Sequence, residues 1–241
     1  MRIAFISDLH SNIYAVESLE KDLKKRDVDK IICLGDIVGY GANPVEVVEW
    51  VKENCDFSLR GNHDTLVSDA EPINMHNPYT LKAAFYNSEV LQEKHKEFLR
   101  SLEKDYEDDE MVLTHDEPCI PGSMEYITKI KEAKDTFSAF NQNYCFYGHT
   151  HIAGIFEKDN EEVNFIKESF IKLDPAKRYL INPGSVGQPR DKDPRASYLI
   201  FDKGKLTLEF IRVEYDIEKA AKDILNANLP QLFAFRLYRG V

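Results

Sequence analysis

The stretch RIAFISDLH, residues 2–10, runs five mostly apolar residues into a carboxylate and an imidazole. Residues 2–6 have the short continuous apolar pattern of a strand buried on both faces. Asn12 then offers a side-chain cap for a helix that carries Ile13, Val16, Leu19 and Leu23 on one stripe. KIICL, residues 30–34, repeats the buried-strand pattern, and Pro44 suits the first turn of a helix over about 44–54, with Val45, Val48 and Val51 spaced for one face. Residues 56–59 supply a third strand. The order β-α-β-α-β is that of a largely parallel sheet in an α/β protein.

Beyond residue 65 the character changes. Residues 78–103 predict two polar amphipathic helices with Leu81, Phe85, Leu91, Phe98, Leu99 and Leu102 as candidates for burial. With no strand between them they are expected to form a small helical flap, about 65–110, with His76 and His95 facing solvent. The acidic run Glu107-Asp108-Asp109-Glu110 is read as a solvated turn. Strands resume at 111–114, 144–147, 153–158, 163–167, 178–182, 196–202 and 205–213, the last two joined by a turn at Lys203-Gly204. A helix over 216–227 closes the pattern. No internal repeat is present.

Composition sets broader limits. The chain has 241 residues, 43% of them hydrophobic, enough to bury a full core as a single domain spanning 1–241. A net charge of −11 disfavours long nucleic acids and anionic membranes as partners. It leaves room for an anionic substrate, because bound cations reverse the local field. Cys33, Cys55, Cys119 and Cys145 form no CxxC pair, which points to a reducing compartment. With no signal-peptide layout and no apolar stretch of spanning length, a cytoplasmic protein is expected.

Five of the seven histidines follow predicted strands: His10 in Asp8-Leu9-His10, His63 in Gly61-Asn62-His63-Asp64, His115 after Thr114, and His149 and His151 in Gly148-His149-Thr150-His151. Gly35-Asp36 follows another strand. Taken singly, each is a common turn. Taken together, five strand ends deliver nitrogen and oxygen ligands to one region, where ligands of open α/β sheets collect.

This ordered set resembles the calcineurin-like metallophosphoesterase superfamily. NPGSVGQPR at 182–190 and GDIVGYG at 35–41 are similar to its bacterial and archaeal phosphodiesterase branch. The resemblance implies a four-layer α/β/β/α sandwich of two mixed sheets. It implies two divalent metal ions, with Asp8, His10 and His151 on the first, Asn62, His115 and His149 on the second, and Asp36 bridging. Mixed imidazole, carboxylate and amide ligands suit Mn, the favoured ion, or Fe, Zn, Ni or Co. Attack on phosphorus by a metal-bridging hydroxide then hydrolyses a phosphate ester. His63 would be the general acid at the leaving oxygen. Asp64 either orients His63 or is a turn carboxylate.

Two departures stand out. Phosphoprotein phosphatases carry Gly-Asp-x-x-Asp-Arg-Gly, whereas Gly39 and Tyr40 stand at the acidic and basic positions here. Many relatives place Gly after the third-motif histidine; this chain has Asp116, which either steadies His115 or repels highly charged phosphates. Among Arg60, Arg190 and Arg195, Arg190 is the choice for gripping substrate phosphate. The expected substrate is a small-molecule or nucleotide phosphate ester, most readily a diester. The alternatives are a phosphomonoesterase, a dinucleoside polyphosphate hydrolase, or a catalytically idle scaffold that binds protein partners. Oligomeric state is left open.

Overall fold

The computed structural model describes residues 1–69, 77–118 and 125–241; His76 and Cys119 lie outside them. Two six-stranded mixed sheets face each other. The first holds β1 (Arg2–Ile6), β2 (Lys30–Cys33), β3 (Phe57–Ser58), β9 (Phe170–Lys172), β11 (Ala196–Asp202) and β12 (Thr207–Val213), in the order β3-β2-β1-β11-β12-β9. The second holds β4 (Asp105–Glu107), β5 (Met111–Thr114), β6 (Tyr144–Phe146), β7 (Gly154–Asp159), β8 (Glu162–Ile166) and β10 (Arg178–Asn182), in the order β4-β5-β6-β10-β7-β8.

Alternation along the strands builds three apolar layers. Ile3 and Phe5 of β1, Phe146 of β6, Ile181 of β10 and Leu199 and Phe201 of β11 fill the space between the sheets. Phe5 and Phe146 stack at 3.8 Å and 7°, fixing β1 over β6. Ala4, Ile6, Tyr198 and Ile200 point the other way, under α1 (Ile13–Leu23) and α2 (Pro44–Asn54). Cys145, Leu180 and Phe156 lie under α6 (Ile130–Thr136). The result is the expected α/β/β/α sandwich. Asn12 caps α1 through the Ala15 N–H, and Pro44 opens α2.

The segment after β3 departs from expectation in three ways. GNHD is not a free turn: Asn62 begins α3 (Asn62–Ser68), with Gly61 as its N-cap. Phe85, expected to be buried, is 69% exposed on α4 (Pro78–Val90). That helix buries Thr80, Ala83, Ala84 and Asn87 instead, a regular i, i+3, i+4, i+7 stripe of small and polar residues. Ala83 and Ala84 of the stripe pack in two apolar clusters, and Asn87 bonds the backbone of the Gly39 loop. His95, expected in solvent, is buried on α5 (Glu93–Ser101), where Nδ1 accepts from the Gln92 N–H and Nε2 meets Glu49 of α2 at 2.8 Å.

Elements unforeseen in the sequence are short or at the edges: β4, β9, α3, α6 and α8 (Gln231–Arg239). The acidic run at 107–110 is exposed; Glu107 ends β4 and Asp108 accepts from the Glu110 and Met111 amides. α7 (Ile217–Asn226) and α8 bury Ala221, Ile224, Phe233 and Leu237 against Tyr40 and Ala83. No helix among the described residues is long and apolar enough to cross a membrane.

The stack between sheets offers a test of this packing. Phe146→Ala empties a fully buried site and is expected to cost about 3–5 kcal/mol. The check is urea denaturation, with a lower midpoint at unchanged slope.

Candidate metal centre

The parallel halves of the two sheets end on the same side. β1, β2 and β3 lie side by side, as do β5, β6 and β10. The loops leaving them carry Asp8 and His10, Asp36, Asn62 and His63, His115, His149 and His151, and Arg190. Several of these residues hold φ angles that side chains seldom adopt: Asp8 55°, His10 45°, Asp36 52°, His149 64° and His151 58°. Such clustered backbone strain needs a surrounding scaffold to hold it. Hydrogen bonds supply it: Asp8, His10 and Ser11 donate N–H bonds to Gly35, Asp36 and Ile37 carbonyls, each at 3.0 Å. Close approach also demands Gly61, where an added Cβ would lie 2.1 Å from Asp36 Oδ1.

Within this frame the ligand atoms converge. His10 Nδ1 faces the Val38 carbonyl at 3.1 Å, His115 Nδ1 that of Leu34 at 2.8 Å, and His151 Nδ1 that of Gln188 at 2.6 Å. A carbonyl only accepts, so each Nδ1 carries the proton and each Nε2 is turned inward. His10 Nε2 and His151 Nε2 stand 3.0 Å apart, with Asp8 Oδ1 3.2 Å from the latter. On the other side, His115 Nε2 lies 3.2 Å from both Asp36 Oδ2 and Asn62 Oδ1. Asp36 Oδ2 is also 3.7 Å from His10 Nε2, so one oxygen is common to both groups. Asp36 Oδ1 accepts the His63 N–H at 2.8 Å, and both Asp8 oxygens face the His149 N–H at 3.1 and 3.2 Å. Asp8, His10 and His151 form one cluster with metal-ligand spacing, and Asp36, His115 and His149 form another. A third set joins His10, Asp36 and His63, which places His63 against the centre itself.

The electrostatics follow from burial of like groups together. Burial and the neighbouring His151 hold His10 well below the usual imidazole range; burial and Arg190 lower His151. Burial opposes ionisation of Asp36, but the surrounding His115, His63 and His10 keep its pKa far below the carboxylate range. His115 is the counterpart: burial would depress it, yet Asp36 outweighs burial and raises it to about 10. Burial takes His63 down to about 4. Two neutral Nε2 lone pairs facing each other beside two carboxylates make a site that repels itself and fits cations.

Residues 1–205 match the calcineurin-like phosphoesterase superfamily domain. The chain belongs to that superfamily. It is 41% identical over 244 residues to an uncharacterized protein of Methanocaldococcus jannaschii, covering 99% of this chain and 98% of the relative. A metallophosphoesterase from Sphaerobacter thermophilus superposes with a TM-score of 0.89 at 38% identity, over 100% of this chain and 99% of that one. The phosphodiesterase YfcE of Escherichia coli is 26% identical over 219 residues, 86% of this chain and 91% of its own. The clusters are therefore the divalent-metal-compatible residues of a metallophosphoesterase fold.

Beside the clusters lies a cavity of about 200 Å³, bordered by Asn62, His63, His149 and His151 and by Tyr40, Tyr126 and Arg190. Of the three arginines considered, only Arg190 borders it. Arg60 pairs with Asp69, and Arg195 with Asp193 at 2.6 Å. Asp64 does not reach the cavity. It accepts the Gly61 N–H at 2.9 Å and the Val38 N–H at 3.1 Å, tying two loops together, and burial with the nearby Asp36 pushes its pKa up to about 7. Asp116 is buried next to His115.

Sequence reasoning missed Tyr40 as a packing partner, Tyr126 and Asn87. Tyr40 was noticed only as a departure from a motif; its ring lies 4.5 Å from that of His10 and 4.4 Å from that of His63. Tyr126 comes from a stretch with no pattern. Asn87 Oδ1 accepts from Ser11 Oγ at 2.6 Å and Gly39 N–H at 3.0 Å, while Nδ2 donates to Gly41 and Ala83 carbonyls at 3.1 and 3.0 Å. All its capacity is used, tying α4 to two site loops.

Two outcomes are expected. Asn87→Ala strands several buried polar groups and should cost about 3 kcal/mol, read by thermal or urea unfolding. Loading metal at pH 8 should release a proton, since His115 holds one up to about pH 10 in the metal-free protein. Metal affinity then rises with pH below that value, and titration calorimetry in buffers of different ionisation enthalpy counts the protons.

Proposed function

We propose that this protein is a dinuclear metal-dependent phosphodiesterase acting on a small-molecule or nucleotide phosphate ester. The observation that carries the reading is the pair of inward Nε2 atoms of His10 and His151, 3.0 Å apart, sharing Asp36 with the His115 group. Asp8, His10 and His151 would hold one ion, Asn62, His115 and His149 the other, and Asp36 both. Mn is favoured over Fe, Zn, Co or Ni. Two bound ions would supply Lewis-acid stabilisation of the phosphoryl group and an acidified water nucleophile.

The chain's own residues do the rest. Arg190 holds a phosphate oxygen. His63 presents an N–H to the leaving oxygen; burial lowers its pKa to about 4, and a phosphate anion bound beside it raises that value. Its Nδ1 is buried with no hydrogen-bond partner among the described residues and lies over Gly39, where an added Cβ would come within 2.4 Å. A buried site that already holds the carboxylates of Asp8 and Asp36 favours singly charged diesters over doubly charged monoesters. The phosphodiesterase relative in Escherichia coli supports the same preference. A scaffold has no use for His63 or for a cluster so costly to bury.

The test is hydrolysis of bis(4-nitrophenyl) phosphate and 4-nitrophenyl phosphate by metal-stripped protein, before and after adding Mn. Turnover that depends on Mn and is faster on the diester is expected; no turnover with metal bound overturns the reading. His63→Ala should keep its metal content and lose about 10²–10⁴-fold in rate. Full rate on an alkyl leaving group would remove His63 from its role.

A further inference from the structure

We propose that Tyr126 is a stacking platform for a planar nucleobase, so that the preferred substrates are nucleotide-type esters whose phosphate lies against Arg190. The inference deepens the reading above and rests on it only for the position of the phosphate.

Tyr126 stacks on His149 with centroids 4.4 Å apart and planes 21° from parallel. One face is therefore covered from behind by a residue of the metal centre. Yet the side chain is 46% exposed and borders the cavity. An aromatic ring fixed on one face and open on the other is poised to receive a second flat group. Stacking of this kind accepts any base, because every base has a π-face.

The second observation is independent of the first. Arg190 is a largely buried cation that forms no ion pair with a carboxylate among the described residues, unlike Arg60 and Arg195. Its guanidinium lies over the Tyr40 ring at 5.5 Å and bonds Gln188 Oε1 at 3.2 Å, and it interacts with the side chains of both Tyr40 and Tyr126. Its Nε is buried with no hydrogen-bond partner among the described residues. A desolvated guanidinium with spare donors is a site for an oxyanion. Since Tyr126 touches Arg190, the platform and the anion site are adjacent, as base and phosphate are in a nucleotide. Thr80, buried on α4, adds a polar edge to the same wall.

The experiment is titration calorimetry of the Mn-loaded protein with AMP and with ribose 5-phosphate, which differ by the base alone. Wild type is expected to bind AMP at least about tenfold more tightly. Tyr126→Leu should erase that preference and leave ribose 5-phosphate unchanged, and Tyr126→Phe should keep it. Arg190→Ala should weaken both ligands by a similar factor. Equal affinity for the two ligands in wild type, binding of neither, a preference that survives Tyr126→Leu, or an equal loss of both ligands in that variant each overturns the proposal. Circular dichroism of Tyr126→Leu verifies its fold. A base preference in a protein that hydrolyses no ester would overturn the proposed activity and leave the platform standing.

Discussion

The structure turns on an unfavourable contact that it is built to maintain. Two carboxylates, Asp8 and Asp36, and the inward nitrogens of His10, His115 and His151 form a chain of groups each within 3–4 Å of the next, nearly devoid of solvent. Acceptor atoms so placed repel unless positive charge lies among them. In the metal-free protein His115 supplies part of it, as an imidazolium that donates Nε2–H to Asp36 and Asn62. A metal ion bound there takes the place of that proton. Each Nδ1 is tied to a backbone carbonyl, so none of the rings can turn away to relieve the crowding.

The rest of the fold holds this cluster against its own repulsion. The Phe5–Phe146 stack locks the two sheets a few residues below the loops that carry Asp8 and His149. The loop after β10 closes over the first sheet through the Val186 and Gly187 amides, which donate to Ser7 and Asp8 carbonyls. Asp64 ties the GNHD segment to the Asp36 loop, and Asn87 ties α4 to the loops of Ser11 and Gly39. The helical segment after β3 is thus a brace for the centre, packed on α2 and α3, as well as a wall of its cavity.

Much of this was legible because it rests on local patterns. β1 and β2 read as buried strands since every residue beyond the first is apolar, and the polar residues that follow could only lie at strand ends. Other features were illegible for physical reasons. Phe85 satisfies a helical stripe in sequence, but α4 turns inward the face that carries Ala83, Ala84 and Asn87, where Asn87 bonds the Gly39 loop. His95 carries no sign that Glu49, 46 residues away, will cover it. α3 is too short for periodicity to mark it.

The sequence by itself determined the α/β class and the identity of the residues that meet at the strand ends, because strand periodicity and loop chemistry are properties of neighbours along the chain; the two-sheet sandwich followed only from the family resemblance. Tertiary structure alone decided which way those residues face. Nothing in the order of residues states that His10 Nε2 meets His151 Nε2, that Arg60 and Arg195 are claimed by Asp69 and Asp193 while Arg190 borders the cavity, or that Tyr126 comes to rest on His149. The His10–His151 pairing joins segments 141 residues apart, which only the closing of one sheet on the other brings within reach.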